Sequence, residues 1–447
     1  MKFPETMAGQ RAAAYLAAFN SGDEGKMRAF FTENASEESL KRRPVDVRLE
    51  LYRNMRSELQ TLTLRRVVET KPEKISALIQ NQKGEWLKFD FMFEPQPPHK
   101  LVGIAINEAV DPAKEEGIPA TLTKAQFTAL LEDHINKLSA NDEFSGVVFV
   151  AKKDQPFFQK AVGLANKESN VLNRVDTKFN LGSINKLFTQ IAIAQLVAAG
   201  KLSYNDKISK ILPDYPNKEA AEKVTVRHLI TMTSGIGDFF GDKYEAISKD
   251  KLRSNKDFLP LFASDSLKFE PGTSRQYSNG SYIVLGLMIE KLTGQSYYDY
   301  VRQNIFQPAG MINTESFEKD AKIANIADGY TREGGNSADK KSRRNNASTR
   351  PARGSSAGGG YSTVEDMLKL SLALQSGKLK QHDLSASNGQ AAKPASFGIA
   401  GGAQGINAIF EVDVEKGYTV VVMSNYDPPT ANDMGTFVRM LLSRLSE

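Results

Sequence analysis

Residues 179–203 read FNLGSINKLFTQIAIAQLVAAGKLS, and no other segment constrains the fold as strongly. An extended run at residues 177–181 leads into a long apolar helix headed by Ser183, and Gly200 is placed to close it in a left-handed cap. A helix this apolar needs a core to cover it. At 447 residues the chain exceeds one typical domain of about 100–200 residues, so it has room for two folded units, one of them large. Hydrophobic residues at 40% and charged residues at 25% match a soluble globular protein rather than a disordered or fibrous one.

Ser183 and Lys186 stand at i and i+3, so on a helix they share a face and the ammonium lies beside the hydroxyl. The helix N-terminus favours developing negative charge nearby. The same spacing recurs at Ser248 with Lys251, Ser316 with Lys319 and Ser337 with Lys340, all in polar or charged surroundings. Only Ser183 precedes an apolar helix; its plain structural alternative is an N-cap serine with a solvated lysine one turn on.

A second segment, FEPGTSRQYSNGSYIVLGLMIEKLTG at residues 269–294, displays Tyr277, Ser278 and Asn279 between a Pro-Gly turn and another apolar helix. A phenol has a pKa of about 10 in water, and a neighbouring ammonium lowers it. Tyr277 near Lys186 is therefore expected to take the Ser183 proton and return it to a leaving group, with Asn279 contacting a substrate amide. A turn tyrosine followed by a helix-capping Asn is the structural alternative.

Ser183-Xaa-Xaa-Lys186 followed by Tyr277-Ser-Asn279 resembles the motifs of the class C β-lactamase, penicillin-binding-protein and esterase family of serine hydrolases. The similarity extends to TVRHLITMTSGIGDF at 225–239, GSSAGGGYSTVEDMLKL at 354–370 and GGAQGINAIFEVDVEKGYTVVVMSNYDPP at 401–429, covering nearly all of residues 121–447. The resemblance implies an antiparallel sheet of N- and C-terminal strands backed by helices, with a helical lobe carrying Tyr277. It also implies a Ser183 acyl-enzyme whose oxyanion is held by the Ser183 and Gly402 amides, each such donor being worth about 3 kcal/mol. The family's third motif, Lys or His then Ser, Thr or Gly then Gly, reads Ile399, Ala400, Gly401 here, and its HTSG phrase begins with Met232. Loss of that cation weakens the case for recognising a substrate carboxylate. It also leaves open a second reading, a catalytically impaired binding or sensor protein.

Ahead of this region the pattern is α+β. Ala12, Tyr15, Leu16 and Phe19 share a helical face, and further helical stretches follow Asp23 and span 45–59. Residues 62–68, 75–80, 86–93 and 101–106 read as strands. This order resembles a nuclear-transport-factor-2-like cone, in which Trp86, Phe89, Phe91 and Phe93 line a pocket or, more simply, form core. The expected organisation is a small α+β domain at 1–110, a linker at 111–120 with sequence DPAKEEGIPA, and a β-lactamase-like domain at 121–447. That domain opens with a helix carrying Phe127, Leu130, Leu131, Ile135 and Leu138, then a hairpin of residues 146–151 and 156–162 around residues 152–155.

Several function classes fall away. With no cysteine there is no thiol nucleophile, disulfide or zinc-thiolate site. A net charge of +5 from 58 basic and 53 acidic residues carries no nucleic-acid footprint. The dense run Lys340, Lys341, Arg343 and Arg344 lies in a polar insert, residues 334–353, and reads as a solvated loop without aromatic residues to stack bases. GSSAG at 354–358 matches a nucleophile elbow but lacks the preceding buried strand. His99, His134, His228 and His382 stand near no candidate nucleophile in sequence, and no metal-ligand spacing occurs. No run approaches the roughly 18 apolar residues of a membrane span. The start of the chain lacks a secretory signal's apolar core, and because relatives are often exported, export with the leader removed is the expectation over a cytoplasmic location. The expected partner is a small-molecule or peptide substrate, with no cofactor or metal; the oligomeric state is left open.

Overall fold

The computed structural model describes residues 1–332, 342–379 and 396–446. The chain divides into two compact units, Met1–Ala120 and Thr121–Glu447. Among the described residues, no helix is long and apolar enough to cross a membrane.

In the first unit, helices Met7–Ser21, Glu24–Asn34, Glu37–Arg42 and Val45–Leu59 precede a four-stranded antiparallel meander. Thr6, Asp23 and Ser36 cap the first three helices by accepting from backbone amides of the first turn. The strands are Leu62–Lys71, Lys74–Asn81, Trp86–Phe93 and Leu101–Glu108. The first carries two register shifts, which increase local twist and bend the strand. Alternation puts Phe89, Phe91 and Phe93 on the buried face, where Tyr15 meets the Phe91 ring edge-on at 5.7 Å. These rings form core.

The second unit contains a five-stranded antiparallel sheet ordered Phe397–Ala403, Ile406–Asp413, Tyr418–Ser424, Gly146–Lys152 and Gln155–Val162. Strands far apart in sequence thus form one sheet, with a C-terminal strand at one edge. Helices Lys124–Ala140 and Thr430–Ser443 cover one face; the His134 ring stacks on Phe437 at 3.9 Å. On the other face Val147, Phe149, Phe410 and Met423 share one core with Phe188, Ile191, Tyr282 and Met367. Tyr418–Ser424 is buried along its whole length, as its continuous apolar run YTVVVMS requires.

The helix Lys186–Ala198 runs through this core against Asn279–Thr293. Gly200, at φ +68°, ends it as expected. The amides of Gly200 and Lys201 reach back to Val197 O and Leu196 O, both at 3.0 Å, a Schellman closure.

Residues 334–341 of the polar insert, including Lys340 and Lys341, and also His382, lie outside the described residues. Arg343 contradicts the solvated-loop expectation: its side chain is 6% exposed and stacks 3.6 Å over the Tyr426 ring. Asp142 and Asp427 lie 3.3 and 3.4 Å from it. Carboxylates and an aromatic face replace the water that a charged side chain would otherwise need.

Candidate active site

Ser183 lies in a 3₁₀ turn, Gly182–Asn185, and the α-helix itself begins at Lys186. The serine thus stands at the head of the helix in its leading 3₁₀ turn, where residues i and i+3 eclipse. Lys186 Nζ stands 3.1 Å from Ser183 Oγ. The lysine is 3% exposed; Asn279 Oδ1 at 2.7 Å and Ala357 O are its other neighbours. Burial pushes the Lys186 pKa down to about 7, opposed by the nearby Asp238 carboxylate.

Tyr277 approaches from the opposite side, its hydroxyl 2.7 Å from Ser183 Oγ. Its ring is half exposed while its hydroxyl end lies against the serine. Partial desolvation raises the phenol pKa, the Ser183 hydrogen bond opposes this, and Asp238 adds to it. The expectation that Lys186 lowers the phenol pKa is therefore corrected: desolvation raises it, and burial also drives the lysine itself toward the neutral amine.

The loop holding Tyr277 is clamped on both sides by one residue. Met232 O accepts from the Gln276 amide at 2.9 Å and Met232 Sδ from the Ser278 amide at 3.4 Å. The thioether that replaces a histidine in the HTSG phrase thus serves as a weak acceptor. Asp238, three positions after the MTSG phrase, carries no signal in the sequence alone. It accepts from the Asn279 amide at 3.0 Å and from Asn279 Nδ2 at 2.9 Å. That pairing turns Asn279 Oδ1 toward Lys186. Asn279 therefore contacts the lysine, a role that sequence reasoning assigned instead to substrate contact. Neither Asp238 nor the Ala357 carbonyl was identifiable beforehand, since each acts through a contact more than forty residues away in sequence.

The edge strand Phe397–Ala403 passes directly over the serine turn. A Cβ on Gly401 would come within 2.0 Å of Leu181 O and 2.7 Å of Ser183 N. Only glycine permits that approach, and it brings Gly402, exposed on the same strand, beside the turn. Ala400, Gly401 and Gly402 line a cavity of about 910 Å³ together with Ser183, Tyr277 and Asn279. Ile399 does not share it. Two positions before Gly401 and on the same face of the strand, Ile399 packs partly buried against the core instead of lining the cavity with Ala400, Gly401 and Gly402.

The rival nucleophile is structural: Ser356 is fully buried, and its hydroxyl bonds Asn255 Oδ1 at 2.7 Å. His228 belongs to a capping box with Thr225, and His99 Nδ1 lies 2.8 Å from Glu94 O.

The second unit is similar in sequence and fold to known proteins. Over 205 residues the chain is 31% identical to Penicillin-binding protein 4* of Bacillus subtilis (strain 168), a match spanning 45% of this chain and 45% of that relative. A penicillin binding protein from Bacillus halodurans superposes with a TM-score of 0.61 at 31% identity, covering 69% of this chain and 99% of that one. D-amino acid amidase from Ochrobactrum anthropi SV3 shares the fold, with a TM-score of 0.56 at 22% identity over 71% of this chain and 96% of that one. A family model described as Beta-lactamase matches residues 131–443, and the chain belongs to that family.

Proposed function

We propose that the second unit hydrolyses an ester, amide or β-lactam-like bond through an acyl-enzyme on Ser183. The observation that carries this reading is the position of Ser183 Oγ, 3.1 Å from Lys186 Nζ and 2.7 Å from Tyr277 OH, on the wall of a substrate-sized cavity. A neutral amine has two N–H bonds and one lone pair. The two bonds match Asn279 Oδ1 and Ala357 O, which leaves the lone pair for Ser183 Oγ.

The steps follow from those protonation preferences. The Lys186 amine takes the serine proton as Oγ attacks the carbonyl carbon. The developing oxyanion is received by the Ser183 and Gly402 amides, brought together by the close approach at Gly401. Tyr277, protonated at neutral pH, gives its proton to the leaving oxygen or nitrogen, and the Lys186 ammonium returns one to the phenolate. Water then attacks the acyl ester and releases the acid. The amidase name of one solved neighbour supports including amides among the candidate bonds. The helix-then-bulged-sheet order of the first unit supports reading it as a nuclear-transport-factor-2-like cone.

The test is intact-protein mass after exposure to a fluorophosphonate probe, for the wild type and Ser183→Ala. One adduct on the wild type and none on the variant is the expected result. Folded wild type without an adduct would replace this reading with the binding-protein one.

A further inference from the structure

Among the described residues five cations line the cavity beside Ser183, and four of them, Arg344 included, are already engaged. Lys319 pairs with Asp250 at 2.9 Å. Arg353 donates to Ser316 O at 2.8 Å and lies 3.6 Å from Glu318. Lys249 donates to the backbone carbonyls of Tyr244 and Ile247. Arg350 differs: it lines the same cavity, yet its Nε is buried without a hydrogen-bond partner. Unlike Arg343, which has two carboxylates beside it, Arg350 has no carboxylate or carbonyl among the described residues hydrogen-bonded to its guanidinium, and its charge is left for a ligand in the cavity to meet.

Its location ties it to the nucleophile. The guanidinium sits 5.7 Å from the Tyr361 ring centroid, and Tyr361 pairs with Asn180 in a short antiparallel ladder. Asn180 Oδ1 in turn accepts from the amide of Gly182, the residue before Ser183, at 2.9 Å. Burial lowers the Arg350 pKa and the Asp328 charge opposes that, but an arginine remains cationic in proteins. The carboxylate whose charge acts on it, Asp328, accepts from Asn166 Nδ2 at 2.7 Å. Meanwhile the third-motif position that would otherwise supply a cation is Ile399, turned toward the core.

We infer that Arg350 is the specificity-determining residue of this site, and that it selects substrates bearing a carboxylate. The inference rests on the acyl-enzyme reading above. A carboxylate accepts from a guanidinium through two parallel N–H···O bonds, geometry that a lysine reproduces only as a point charge. The cation for substrate recognition thus comes from the loop before the GSSAG segment instead of from the edge strand.

The experiment compares acids with their methyl esters on the full chain. One pair, mono-(4-nitrophenyl) glutarate and its methyl ester, carries the charge on the acyl side. The other, 3-carboxyphenyl butyrate and its methyl ester, carries it on the leaving side. In the wild type at least one acid is expected to exceed its methyl ester in kcat/KM by about tenfold or more. In Arg350→Met that ratio is expected to fall toward one, through KM, and in Arg350→Lys to recover in part. Equal rates for acid and ester in the wild type, or a preference that survives Arg350→Met, would overturn the assignment. Should Ser183 label with fluorophosphonate but turn over neither pair, the same compounds are read as competitors of labelling. Protection by an acid that Arg350→Met abolishes supports the inference, and equal protection by acid and ester refutes it. Failure of labelling itself counts against the acyl-enzyme reading, and is thereby told apart from failure of Arg350.

Discussion

At the scale of single residues, the chemistry depends on which of two groups is the base. Burial drives the Lys186 pKa to about 7 and raises that of Tyr277, so the neutral amine exists where the phenolate does not. Because the active form is the deprotonated lysine, the rate of Ser183 labelling is expected to rise with pH through about 7 and then level off. Asp238→Asn keeps one amide oxygen to accept from both Asn279 donors, gives up the exposed bond from the Phe240 amide, and removes the charge that favours the ammonium. The midpoint is therefore expected to move to lower pH, which a pH series of labelling rates would detect. A midpoint moved upward, or unmoved, would show that Asp238 does not act through the lysine.

At the scale of elements, two glycines carry different duties. Gly401 lies where the edge strand crosses the serine turn, and its substitution drives a Cβ into Leu181 O. Gly200 closes the Lys186–Ala198 helix at φ +68° with nothing within 4 Å of where a Cβ would be. Gly401→Ala is expected to lower the labelling rate by about 10² or more, because an oxyanion donor is displaced. Gly200→Ala is expected to leave labelling in place and to cost about 1–2 kcal/mol in denaturant unfolding, the strain of a left-handed alanine. Similar losses of labelling in both variants would mean that the turn tolerates no distant strain, and that Gly401 has no special part in it.

At the scale of the whole molecule, each unit has its own core: Tyr15, Phe19, Phe89 and Phe91 in one, Phe149, Phe188, Tyr282 and Phe410 in the other. Every residue of the candidate site belongs to the second. A chain of residues 121–447 is expected to fold and to keep Ser183 labelling, read by intact mass and by near-UV circular dichroism. Loss of labelling in a folded 121–447 chain would assign the first unit a part in the site.

The sequence by itself determined the local features. The apolar helix and its glycine cap, the alternating strands of the first unit, and the motifs at Ser183, Lys186, Tyr277 and Asn279 are all set by residue type and short spacing, because helix periodicity, capping and strand alternation act within a few residues. Only the tertiary structure decided the rest. It showed that Ile399 faces the core, that Asp238 orients Asn279, that Met232 clamps the tyrosine loop, and that Arg343 is stacked and ion-paired instead of solvated. Each of these joins residues distant in sequence, and the same burial sets the direction of the Lys186 and Tyr277 shifts. Desolvation depends on everything packed around a group, and no local pattern encodes that.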